Sequence, residues 1–161
     1  MGLASNGVVA AGRPIALTLV GEDDPEAARQ EGRFAQALDE PGGREFVQDE
    51  LTTATRFGPA LDKPLDELVA AAPADRLSEL LIGGVLRNDL ELDEAESLLL
   101  KYLDPEDFLL SPLPNHLFQR DNSAWVYGGL SVNPMAKAAR KREAIHSRLI
   151  YRYHPMFAAA K

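Results

Sequence analysis

Proline spacing constrains this chain more than any other feature. Between residues 24 and 103, prolines stand at positions 25, 41, 59, 64 and 73. A proline has a fixed φ and no N–H, so it suits the first turn of a helix and breaks the interior of one. The intervals therefore read as separate short helices. In "GEDDPEAARQEGRFAQALDE", Asp24 can cap, Pro25 takes the first helical position and acids crowd the first turn. Pro41-Gly42-Gly43 ends that helix, and "REFVQDELTTAT" forms a second. "FGPALDKP" reads as a connector, with a third helix running from Pro64 to just before Pro73.

A fourth helix starts at Pro73 and carries Leu77, Leu80 and Leu81 on one face. Gly83–Gly84 would close it with a left-handed turn. "ELDEAESLLLKYL" places Leu98, Leu99 and Tyr102 together on a fifth. Residues 24–103 thus form a helical subdomain. Residues 1–23 precede it, with one β-prone run at Pro14–Val20.

The helical period is lost at Asp104-Pro105. In residues 104–161, "AWVY" and "LSVN" predict two strands joined at Gly128–Gly129. "AKAARKREAIHSRLIYRYHP" then returns to helix and ends before Pro155. Ile145, Leu149 and Tyr153, four apart, give this helix an apolar side, and the remainder reads as a solvated basic face. The fold class is α+β.

Charge and composition exclude several functions. The formal net charge is −8, which disfavours general binding to nucleic acid or to an anionic membrane. The charge is uneven: residues 132–161 hold seven basic residues against one acid. No apolar run reaches the roughly 18 residues that a membrane span needs. The N-terminal stretch lacks the basic-then-apolar order of a signal peptide. Cysteine is absent, which excludes disulfides, a thiolate nucleophile and Cys-ligated metal, and suits a reducing cytoplasm. The histidines, His116, His146 and His154, are 30 and 8 residues apart without His-x-x-x-His spacing, so no metal site is expected. No phosphate loop or nucleophilic serine setting is visible.

One acid remains to be explained. Asp121 lies in "SPLPNHLFQRDNSAWVYGGLSVNP", among apolar and aromatic residues. A carboxylate aimed into an apolar cleft is costly unless it meets a cation or several donors. Arg120 is adjacent, but neighbours on a strand point to opposite faces. A turn cap or a substrate cation would serve instead. An arginine of the basic helix turned inward could likewise hold an anion through its fork of donors.

These residues carry a resemblance. Pro114-Asn115-His116-Leu117-Phe118-Gln119-Arg120-Asp121, the hairpin Trp125 to Gly129 and Asn133-Pro134-Met135 resemble a segment of bacterial arginine deiminases. So do Ala139-Arg140-Lys141-Arg142-Glu143 and Ile150 to Pro155. Upstream, "LDELVAAAPADRLSELLIGGV" resembles the helical insertion of that family.

The resemblance implies a propeller of ββαβ-type units (a pentein) around a central site, with an inserted helical subdomain. It implies hydrolysis of L-arginine to L-citrulline and ammonia, without metal or organic cofactor, by a cysteine nucleophile, a histidine and guanidinium-gripping carboxylates. Carried over, Asp121 binds the guanidinium, Phe118 packs on the substrate's aliphatic part, Asn115 contacts its α-amino end and Arg140 holds its α-carboxylate. The family's cysteine, its His-x-Asp and its Glu-Gly-Gly-Asp have no counterpart here. The expectation is therefore a middle piece of the enzyme: a helical subdomain plus one ββα unit of an incomplete ring, inactive alone. A complementary C-terminal chain, or self-association, would supply its partner. The other readings are a non-catalytic binding module and an acidic helical protein with a nucleic-acid-binding tail, the latter not expected.

Overall fold

The computed structural model describes residues 25–54, 58–90, 92, 101–114, 116, 119–127 and 129–158. The possible strand at 14–20, the capping role of Asp24 and most of the fifth helix lie outside the described residues. Four helices open the fold: α1 (Pro25–Asp39), α2 (Gly43–Ala54), α3 (Pro59–Ala71) and α4 (Ala74–Gly83). Two short strands, β1 (Val85–Leu86) and β2 (Phe108–Leu110), pair antiparallel with an irregular register. A helical turn, α5 (Gln119–Asn122), leads into a hairpin of β3 (Ser123–Val126) and β4 (Gly129–Val132). The chain ends in α6 (Glu143–Tyr153) and α7 (Pro155–Ala158). Mixed helices with two small antiparallel sheets make the class α+β, as expected.

Pro25 starts α1 as its sequence position predicts. Pro64 does not start a helix. It lies inside α3, which begins at Pro59, so the expected connector is helical. Pro59 takes the favoured entry position, and the Gly58 carbonyl accepts from the N–H groups of Leu61 (3.0 Å) and Asp62 (2.9 Å). Pro64 removes one donor, and burial of Leu61, Leu65 and Val69 along one face outweighs that loss. At the other end of α3, Arg44 caps the helix, donating to the carbonyls of Val69 (2.7 Å) and Ala72 (2.8 Å).

Gly84 corrects a second expectation. Its φ of 95° and ψ of 156° are not a left-handed helical cap but an extended conformation open essentially to glycine alone. A Cβ there would stand 2.7 Å from a ring carbon of Phe108 and 2.8 Å from the Leu110 carbonyl oxygen. Gly84 is what lets β1 turn directly off α4 and lie against β2.

The hairpin turn is also shifted. Val126 pairs with Gly129, so Gly129 already belongs to β4. Tyr127 carries the positive φ, 48°.

One core unites α1 to α4, the β1–β2 pair and α6. Phe34, Leu38, Val47, Leu77, Leu81 and Leu110 share a single cluster with Ile145, Leu149 and Ile150 of α6. The apolar side predicted for this last long helix is therefore real, and Arg148 and Arg152 are exposed as a solvated basic face requires, but the buried side is wider than the spacing predicts. Glu143, His146 and Ser147 are buried as well. A bidentate ion pair from Arg148 to Glu50, both bonds 2.7 Å, ties α6 to α2.

Candidate active site

The hairpin explains how residues nineteen positions apart meet. Asp121 sits on α5, two residues before the chain enters β3. The register pairs Ser123 with Val132, and below that pair the Asn133 N–H donates to the Asn122 carbonyl at 2.8 Å. The returning strand is thus fixed beside α5. A single turn of 3-10 helix, Ala138–Arg140, then delivers Arg140 next to Asp121.

Arg140 bridges two acids. Its Nη1 donates to Asp121 Oδ2 at 3.0 Å. Its Nε donates to both carboxylate oxygens of Glu143, at 3.0 and 2.9 Å, and its Nη2 donates to Glu143 Oε2 at 2.8 Å. The Arg140 pKa is raised above its ordinary value, first by the hydrogen bonds to Glu143 and then by Asp121, against an opposing effect of burial. The two acids differ in setting: the Asp121 side chain is 50% exposed and that of Glu143 is 0% exposed. The partner that Asp121 lacked in the sequence is therefore an arginine of the same chain, reached through the hairpin. Asn115 and Phe118 lie outside the described residues, as does the side chain of Arg120.

Beneath the Asp121–Arg140 pair lies a buried polar layer. Ser147 Oγ donates to Asn122 Oδ1 at 3.0 Å, and Asn122 Nδ2 is sealed from water with no hydrogen-bond partner. Arg142 donates to the backbone carbonyl of Ser111, and burial pushes its pKa down to about 10. The His146 ring stacks on Phe34 with centroids 4.0 Å apart and meets the edge of His116 at 4.7 Å.

Burial pushes the His116 pKa down to about 4. That of His146 falls well below the ordinary value, through burial first and then the neighbouring His116 and Arg142. His116 keeps some surface overall, while its Nδ1 is shut away from water. Both imidazoles are neutral at pH 7.

Glu143 and His146 have Glu-x-x-His spacing, yet Glu143 faces Arg140 and His146 lies between two rings. Among the described residues no three potential ligands converge on a metal.

A family model for arginine deiminase matches residues 24–161.

The chain belongs to the arginine deiminase family.

That assignment covers the helical bundle as well as the hairpin and α6, so the likeness is not confined to the motif around Asp121. Arginine is the substrate that the family implies. No helix among the described residues is long and apolar enough to cross a membrane.

Sequence reading missed the residues that support Asp121 and Arg140. Glu143 had a visible signal, its i, i+3 spacing from Arg140. The meeting of His116 with His146 had none, since the two are 30 residues apart and joined only through the tertiary fold.

Proposed function

We propose that this chain supplies the arginine-gripping part of an arginine deiminase site in the cytoplasm, within a propeller-type unit. The observation that carries this reading is the Asp121–Arg140 pair. A carboxylate and a guanidinium, presented side by side on neighbouring elements, complement a substrate that bears a guanidinium at one end and a carboxylate at the other. Asp121 takes the substrate guanidinium through charge-assisted hydrogen bonds of about 1.5–3 kcal/mol each. Arg140 takes the α-carboxylate, Asn115 the α-amino end and Phe118 the aliphatic stem.

In the structure described, the guanidinium on Asp121 is that of Arg140. The two ends of an arginine molecule are held apart by its own side chain. Binding therefore opens the Asp121–Arg140 contact, with each partner exchanging the other for its counterpart on the ligand. Exposure of Asp121 favours such an exchange, because the pair it leaves is a solvent-screened one.

Covalent hydrolysis needs a nucleophile, and this chain has no cysteine, so it forms no citrulline alone. The surface supports a second reading, a module that docks a complementary chain or a second copy. Among the described residues β3 pairs only with β4. Trp125, Val126, Tyr127 and Met156 are exposed close to that small sheet and α7. A two-stranded sheet with open edges and an apolar surface is a natural place for another strand to add.

The test is thermal melting of the purified chain with and without L-arginine, together with a citrulline assay. Arginine should raise the melting temperature of the parent chain but not of Asp121→Asn, and no citrulline should form. A parent chain blind to arginine, or one that makes citrulline unaided, overturns the proposal.

A further inference from the structure

We infer that Glu143 is a positioning residue for arginine binding, holding the Arg140 guanidinium so that its outer edge presents a fork to the ligand carboxylate. The inference rests on the reading of Asp121 and Arg140 given above and extends it to a residue without an assigned role.

Geometry carries the argument. A guanidinium has five N–H donors in a fixed plane. Glu143 accepts from Nε and Nη2, which lie on one edge of that plane. The neighbouring edge is formed by Nη1 and Nη2. Asp121 accepts from Nη1, one of the two nitrogens of that edge. When Asp121 turns to a ligand guanidinium, that edge has donors on both nitrogens, the arrangement that matches a carboxylate bidentately.

Without Glu143, Arg140 would lose every side-chain anchor at the moment Asp121 releases it. With Glu143, three bonds remain. The anchor is also rigid. Glu143 opens α6, its side chain is fully buried, and the helix behind it is locked into the core by Ile145 and Leu149. Burial makes this carboxylate dependent on Arg140 as well, because an unpaired buried charge is costly. Each fixes the other, and the exposed Asp121 is the member free to change partner.

The experiment compares L-arginine with agmatine, which carries the same guanidinium but no α-carboxylate, by calorimetric titration of the full chain. The parent chain should prefer L-arginine by about tenfold in Kd, the order expected for one charge-assisted carboxylate contact. Glu143→Gln should reduce that preference to about twofold or less while agmatine binding stays within about threefold. Glu143→Asp keeps the buried charge but withdraws it by one methylene. It should also lose most of the preference, and it serves if the glutamine variant fails to fold. A merely structural role would weaken both ligands together.

A full preference retained in Glu143→Gln or Glu143→Asp, or parallel losses for both ligands, overturns the positioning role and leaves the Asp121–Arg140 reading intact. A parent chain without preference overturns that reading, and this inference with it.

Discussion

The four opening helices and the segment from Phe108 onward contribute to one core, yet they bury different chemistry. Among the described residues of α1 to α4, the only buried polar side chain is Ser78. The later segment buries Asn122, Arg142, Glu143, His146, Ser147 and His154. Apolar burial is non-directional and needs only the right face turned inward. Buried polar groups need partners with defined geometry, and a layer of them beneath a surface ion pair is the pattern of a supported site. The opening helices are a scaffold, whereas the later segment is where the chain spends stability on holding particular groups in place.

Phe34 belongs to both regions and offers the largest test of this contrast. It is fully buried in the core and stacks on His146. Phe34→Ala should destabilise by about 3–5 kcal/mol in urea denaturation, as expected for deletion of a large buried side chain. A loss near 1 kcal/mol would mean that the two regions are less tightly joined than the shared core indicates.

The histidine pair offers a second test, through pH. Both imidazoles are held neutral when folded and can take a proton near pH 6.5 when unfolded, so the unfolded state binds more protons below that value. Stability is therefore intact above about pH 6.5 and falls as pH drops through the interval from 6.5 to about 4. The drop is on the order of 3 kcal/mol for His116 alone, and His146 adds to it in the same direction. Carboxylates titrate towards the acid end of this range, so the comparison that isolates the effect is with His146→Phe. That variant should shrink the loss between pH 6.5 and 5 to the share that His116 carries, and an unchanged pH profile would remove His146 as a cause.

The smallest effect is at the hairpin. Tyr127 is fully exposed and adopts a left-handed φ. Tyr127→Asn, which makes the turn Asn-Gly, should stabilise by about 1 kcal/mol because asparagine tolerates that conformation. A destabilised variant would show that the exposed ring has a partner on the surface, as the docking reading requires.

Much of the scaffold was legible because helix faces and caps are local. Pro25, the leucines of α4 and the apolar side of α6 needed only spacing to be found. Pro64 misled because its local cost is small beside the burial of Leu61, Leu65 and Val69. The β1–β2 pair went unseen because two and three residues leave no period to detect, and its Gly84 makes sense only once Phe108 is beside it. At the site, the motif around Asp121 was readable as a pattern, but the ion pair to Arg140 depends on a hairpin register and a 3-10 turn.

By itself, then, the sequence determined the helical scaffold, the hairpin, the lack of a thiol nucleophile and the family resemblance later matched over residues 24–161. These follow from local propensity, composition and motif, which require no knowledge of what lies across the core. The tertiary structure decided that Asp121 meets Arg140, that Glu143 is buried beneath them, and that His146 lies between the rings of Phe34 and His116. Those facts depend on pairs distant in sequence, whose energies appear only when packing removes the water between them.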